Sequence, residues 1–177
     1  MLVLFPDDED HDPHFSIANA SVERFAVSAA PNATAAAFSY DIRAAVKLYN
    51  SYGDITYDLL AANFYFNGTQ FAGRTIAPFD QGLGETAVLH ADVAGSVAER
   101  GSLALVDEFE RGSRTGDLDL ELRLDSLYHS SFGNPKVKAV RCPLAVRLVS
   151  AVDTIECEVT KGEVAAKGEA ESRRYMN

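Results

Sequence analysis

From Asp117 to Asp125 the chain alternates without a break: every even position is leucine and every odd position is charged. A period of two places Leu118, Leu120, Leu122 and Leu124 on one face of an extended strand, whereas a helix would scatter them around its circumference. A looser alternation follows, with Val137, Ala139 and Arg141 on one side against Lys138, Val140, Cys142 and Leu144 on the other. A change of phase near Pro143 points to a bulge or an edge position. Between the aromatic flanks Phe64-Tyr65-Phe66 and Phe71, Asn67-Gly68 supplies the two positive-φ residues of a type I′ turn, which predicts a hairpin. Further strands are expected at 21–29, 38–49, 54–62 and 85–93. About seven strands at short spacing predict an all-β fold, an antiparallel β-sandwich. The one helical spacing, Val97, Leu103, Val106 and Phe109, falls within residues 96–111 and is interrupted by Gly101.

The ends of the chain lack such patterns. Residues 1–14 open with Leu2 to Phe5 and pass into a run of acids, histidines and prolines, so they read as an acidic lead-in. Residues 161–177 carry charges and small residues without apolar periodicity and read as a flexible tail. One domain is therefore expected over 15–160. At 47% apolar and 24% charged residues, it has the composition of an ordinary globular unit.

A net charge of −10 repels nucleic-acid backbones and anionic lipid surfaces, so neither is an expected partner. Leu2 to Phe5 is far shorter than the roughly 20 apolar residues of a membrane span, and it lacks the basic flank of a secretory signal.

The residue types that carry catalysis do not fall into catalytic spacings. His11, His14, His90 and His129 show no metal-ligand pattern. Reading the acidic run as a calcium loop from Asp7 puts Asp12 where glycine belongs and Ala18 where the bidentate glutamate belongs. Gly82-Leu83-Gly84 lacks the third glycine of a dinucleotide site, and no nucleophile elbow is present. No catalytic residue, cofactor or metal is therefore assigned, and the protein is expected not to be an enzyme.

Two other features bear on compartment. Asn19-Ala20-Ser21, Asn32-Ala33-Thr34 and Asn67-Gly68-Thr69 are glycosylation acceptors by sequence, although Asn19 and Asn32 also suit turns and Asn67 suits its hairpin. Cys142 and Cys157 fall on opposite arms of an expected terminal hairpin, 137–149 and 154–160, with its turn near 150–153. They are either two small buried hydrophobes, as in a reducing cell, or a disulfide; alongside the sequons the disulfide is the preferred reading.

An ordered set of short phrases then resembles a known family. Pro13-His14-Phe15, Leu48-Tyr49-Asn50-Ser51-Tyr52, Ile55-Thr56-Tyr57-Asp58, Ala77-Pro78-Phe79-Asp80-Gln81 and Arg141-Cys142-Pro143 followed by Cys157 together resemble the plant type 2 late-embryogenesis-abundant proteins. The resemblance is closest to their harpin-induced and non-race-specific-disease-resistance-like branch, which carries a water-stress and hypersensitive-response domain. The phrases depart from that pattern where Asn50-Ser51-Tyr52 lacks a proline and a second asparagine, where Thr56 replaces a tyrosine, and where Asp80 replaces the tyrosine before Gln81.

The resemblance implies an immunoglobulin- or fibronectin-like sandwich and a non-enzymatic binding or signalling role in defence and stress, toward a protein or cell-wall partner. It places the domain on the outer face of the plasma membrane, held by a span before Pro13 that Leu2 to Phe5 does not supply. Membrane association is thus expected only through an anchor outside this sequence, and the chain alone reads as soluble. The alternative is an intracellular desiccation-protection protein of the same fold. On this view Asn50, Tyr57, Asp58, Pro78, Phe79 and Gln81 are structural: Asn50 in a tight connection with left-handed backbone, Tyr57 and Phe79 filling the core, and Asp58 needing a partner if buried.

Overall fold

The computed structural model describes residues 13–51, 53–131, 133–146 and 155–159. Two antiparallel sheets face each other, and among the described residues there is one helix, on a crossing from one sheet to the other. The strands are β1 (His14–Ala29), β2 (Ala36–Tyr49), β3 (Ile55–Phe66), β4 (Thr69–Ile76), β5 (Phe79–Gln81), β6 (Thr86–His90) and β7 (Val93–Val97), followed by helix α1 (Ala104–Thr115) and then β8 (Leu118–Ser130), β9 (Lys136–Val146), β10 (Ile155–Glu156) and β11 (Glu158–Val159). One sheet runs β10-β1-β2-β6, with β7 also on β2; the other runs β11-β9-β8-β3-β4, with β5 also on β3. The pairs β6/β7 and β4/β5 each occupy successive halves of one neighbour. Counted that way, and leaving aside the two-residue β10 and β11, the fold has seven ribbons. The first, second and fifth make one sheet and the other four the second, as in a fibronectin-like sandwich.

Sequence pattern and burial agree most closely in β8, where Leu118, Leu120, Leu122 and Leu124 all face the core. The Asn-Gly turn forms as expected: Asn67 (φ 47) and Gly68 (φ 81) join Phe66 directly to Thr69. The expected bulge at Pro143 is absent. β9 pairs with β8 without a register shift from Lys136 to Val146, and Pro143 lies beyond the residues paired with β11, toward the sheet edge, where its missing N–H costs little.

Other boundaries move. Strand β1 begins at His14; Pro13 before it is buried, and its carbonyl accepts from the Lys138 ammonium at 2.9 Å. The expected strands at 54–62 and at Phe64 are one strand, β3. The expected strand at 85–93 is broken at Ala91–Asp92, where the Asp92 side chain accepts the Ala44 N–H at 3.2 Å. The helix lies at 104–115 rather than within 96–111. Gly101 takes a left-handed φ of 72° ahead of it, and Gly116 closes it with φ 76°. The turn expected near 150–153, and the tail from 161, lie outside the described residues.

The core has two ends. At one, Phe25, Phe38, Phe66 and Phe71 pack ring against ring with centroids 5.2–6.5 Å apart, and Phe109 of α1 meets Phe25 at 5.8 Å. The helix closes the gap between the sheets there, its Gly112 so near Asp117 that a Cβ would sit 2.7 Å from that carbonyl oxygen. At the other end, polar groups are buried.

Candidate functional site

That polar end is where the residues singled out by sequence converge. Asn50 follows β2 and is fully buried. Its two amide hydrogens are shared among the carbonyls of Gly53, Gln81 (3.3 Å) and Gly82 (3.1 Å). Its own backbone donates to Glu85 (3.1 Å) and accepts from Gly84 (2.8 Å). Asn50 is therefore not the left-handed residue of a tight turn; that conformation falls on Gly53 (φ 108), and Asn50 is a hydrogen-bonding hub.

Gln81 in β5 is equally buried. Its amide donates to Leu48 O (2.9 Å) and Glu85 O (2.8 Å), while its carbonyl accepts the Tyr57 hydroxyl at 3.2 Å. Leu48 belongs to one sheet and Tyr57 and Gln81 to the other, so this network stitches the sheets together where no helix covers the gap. Burial raises the pKa of the Tyr57 phenol well above its ordinary value.

The remaining residues of those phrases sit around the network rather than in it. Phe79 is only half-buried and stacks on Tyr57 with centroids 4.6 Å apart; it lids the hub instead of filling the core. Pro78 is exposed. Asp58 is also exposed, turned outward where the β3–β8 register shifts between Tyr57 and Leu59, and it meets His129 Nδ1 at 2.8 Å. Because the bulge puts it in solvent, it needs no buried partner.

All three sequon asparagines are exposed. Asn19 lies in β1 at a register shift, not in a turn. Asn32 is in the β1–β2 turn, where its amide donates to Glu99 Oε1 at 2.7 Å and its oxygen accepts the Thr34 N–H at 3.2 Å. Asn67 tips the β3–β4 hairpin beside a cleft of about 490 Å³ whose lining includes Phe66, Glu108, Arg111, Asp117 and Asp119. Arg111 pairs with Glu108, so the carboxylates of Asp117 and Asp119 give the cleft its charge.

Cys142 and Cys157 form a disulfide, with Cα atoms 4.4 Å apart. The register that sets Arg141 opposite Glu158 and Val140 opposite Val159 brings these two cysteines face to face. The two halves of that arm serve different sheets, since β10 pairs with β1 and β11 with β9. The expected simple hairpin is thus a strap across both sheets with the disulfide at its midpoint.

Lys138 was not legible as a site residue. It is buried, reaches Pro13, and lies 5.7 Å from the Phe15 ring centroid. Its only sequence signal was a lysine on the inward phase of an alternating strand.

Among the described residues no group of three or more His, Cys, Asp or Glu side chains is placed to hold a metal ion, and no helix is long and apolar enough to cross a membrane. The side-chain amides of Asn50 and Gln81 donate to backbone carbonyls of the surrounding loops, and the Tyr57 hydroxyl donates to Gln81.

No family model matches the sequence. No curated protein matches it either. Among solved structures, a protein from Archaeoglobus fulgidus aligns over 75% of this chain and 99% of its own at 12% identity and a TM-score of 0.37, a likeness on which nothing here depends.

Proposed function

We propose that this sandwich is a non-enzymatic binding or signalling module of a stress- or defence-associated protein, of the type 2 late-embryogenesis-abundant kind, working outside the cytoplasm. The observation that carries the compartment is the Cys142–Cys157 bond at the middle of the strap, because such bonds persist in oxidising surroundings. Exposure of Asn19, Asn32 and Asn67 supports the same side of the membrane. The absorption of Asn50, Tyr57 and Gln81 into a load-sharing hydrogen-bond network supports a structural role for the residues behind the resemblance. Recognition of a protein or cell-wall partner then falls to the loops.

The competing reading, an intracellular protein that protects other components during water loss, is favoured by the net charge of −10, which keeps a surface well hydrated. The protein isolated from its own cells separates the two. The extracytoplasmic reading expects no free thiol by mass spectrometry and a mobility shift after endoglycosidase treatment. Two free thiols and no shift would overturn it in favour of the intracellular one.

A further inference from the structure

Strand β6 lies at one side of its sheet, and among the described residues it pairs with β2 alone. Its ladder has a fixed phase. At one end the Asn50 N–H donates to Glu85 O at 3.1 Å, and at the other the Ala91 N–H donates to Ala44 O at 2.8 Å. With no register shift between these points, Val46–Leu89 and Leu48–Ala87 are the pairs that exchange backbone bonds. The N–H and C=O groups of Thr86, Val88 and His90 therefore point away from β2, along an edge with no neighbouring strand among the described residues. Their side chains are exposed, Val88 at 53%.

Edges of this kind recruit a further strand unless a proline, a charged side chain or a bulge stops them. Elsewhere such stops are present. β4 carries Arg74 and a register shift against Phe64 and Tyr65. β5 is three residues long, follows Pro78 closely and holds Asp80, and β7 packs against β4. Thr86 to His90 has no proline, lysine, arginine, acid or register shift.

We propose that β6 is a self-pairing surface, on which a second copy of this chain lays its own β6 antiparallel to the first and joins the two sheets into one. The occupant follows from the edge itself. Set about a two-fold axis at Val88, Val88 meets Val88 of the second copy and Thr86 meets its His90, so every outward N–H finds an outward C=O. The charges agree with this register, because Glu85 falls opposite Ala91 and Asp92 opposite Gly84, and no acid of one copy faces an acid of the other. The same pairing covers Val88 and closes the open side of Ala87 and Leu89, which are half-buried against the core. With each chain at −10, repulsion keeps the contact weak, so it forms at high protein concentration and is strengthened by salt. The inference does not depend on the role or compartment proposed above.

The test uses the full chain. In sedimentation equilibrium at about 0.15 M salt, its mean mass should rise from that of one chain toward that of two between about 10 µM and 1 mM. Over the same range amide exchange at Thr86, Val88 and His90 should slow several-fold, whereas Ala87 and Leu89, already bonded to β2, should slow less. Val88→Pro removes an outward N–H and no bond to β2, so it should melt close to the parental temperature and keep the mass of one chain throughout. Val88→Lys sets two ammonium groups face to face across the axis and should likewise stay monomeric; it is the arm to read if the proline disturbs the strand. A parent that keeps the mass of one chain at the highest concentration would overturn the proposal. So would a dimer that both variants still form, or one in which the Thr86, Val88 and His90 amides exchange as fast as in the monomer.

Discussion

Removing the Asn50 carboxamide leaves the buried carbonyl of Gln81 and the part-buried carbonyls of Gly53 and Gly82 to find new partners. Asn50→Ala should therefore destabilise the domain by about 3 kcal/mol in urea melts, at the upper end for a lost buried donor. A loss below about 0.5 kcal/mol would show that the carbonyls are satisfied some other way. Tyr57 gives the hub a pH limit. Burial raises the folded-state pKa of its phenol, whereas the unfolded chain releases that proton near pH 10. The sign follows: the contribution is whole below about pH 10 and is lost as pH rises beyond it, at up to about 1.4 kcal/mol per pH unit. Tyr57→Phe should be less stable at neutral pH, because the Gln81 carbonyl loses its donor, yet lose stability more slowly than the parent between pH 10 and 12. Parallel alkaline slopes for the two proteins would acquit Tyr57.

Leu120 is 2% exposed on the inner face of β8, with Leu144 its partner in the next strand. Leu120→Asp should abolish the cooperative melt, since an unpaired buried carboxylate costs several kcal/mol against a total of about 5 to 15. A cooperative melt at the parental temperature would mean that β8 presents its other face. This strand was legible in the sequence because nothing interrupts its period of two, and the β3–β4 hairpin because Asn67-Gly68 admits few other conformations. Strand β1 was legible only in its second half. Register shifts after Ile17 and after Val22 change the inward phase from Phe15 and Ile17 to Ala20 and then to Phe25 and Val27, so no single alternation spans it. Helix α1 has Leu103 at its N-cap, which offers no side-chain cap, so its beginning is unmarked in the sequence, whereas Gly116 marks its end. At the polar end, Asn50, Tyr57 and Gln81 could be named from the chain, but not their partners. Those depend on where β5 settles along β3, a register that no local pattern encodes.

At the scale of the whole molecule the balance of charge decides what the surface repels. With a net charge of −10, the 177-residue chain should remain in the supernatant when phosphatidylserine vesicles are pelleted at physiological salt. Tight binding would show that the sandwich itself recognises lipid, and the binding-module reading would have to be rebuilt around a membrane surface. The two ends of the fold are not equivalent in another respect. β1 starts at His14, beside the hub, and runs toward the helix end, paired with β2 from His14–Tyr49 to Ala29–Ala36. A pull on Pro13 away from the helix end, with that end held fixed, shears the longest ladder among the described residues instead of peeling it one rung at a time. All of its rungs then bear the force together, and the Lys138 contact to Pro13 is the first to take it. The fold is thus oriented to stay shut under tension, and under single-molecule stretching Lys138→Met should yield at lower force than the parent.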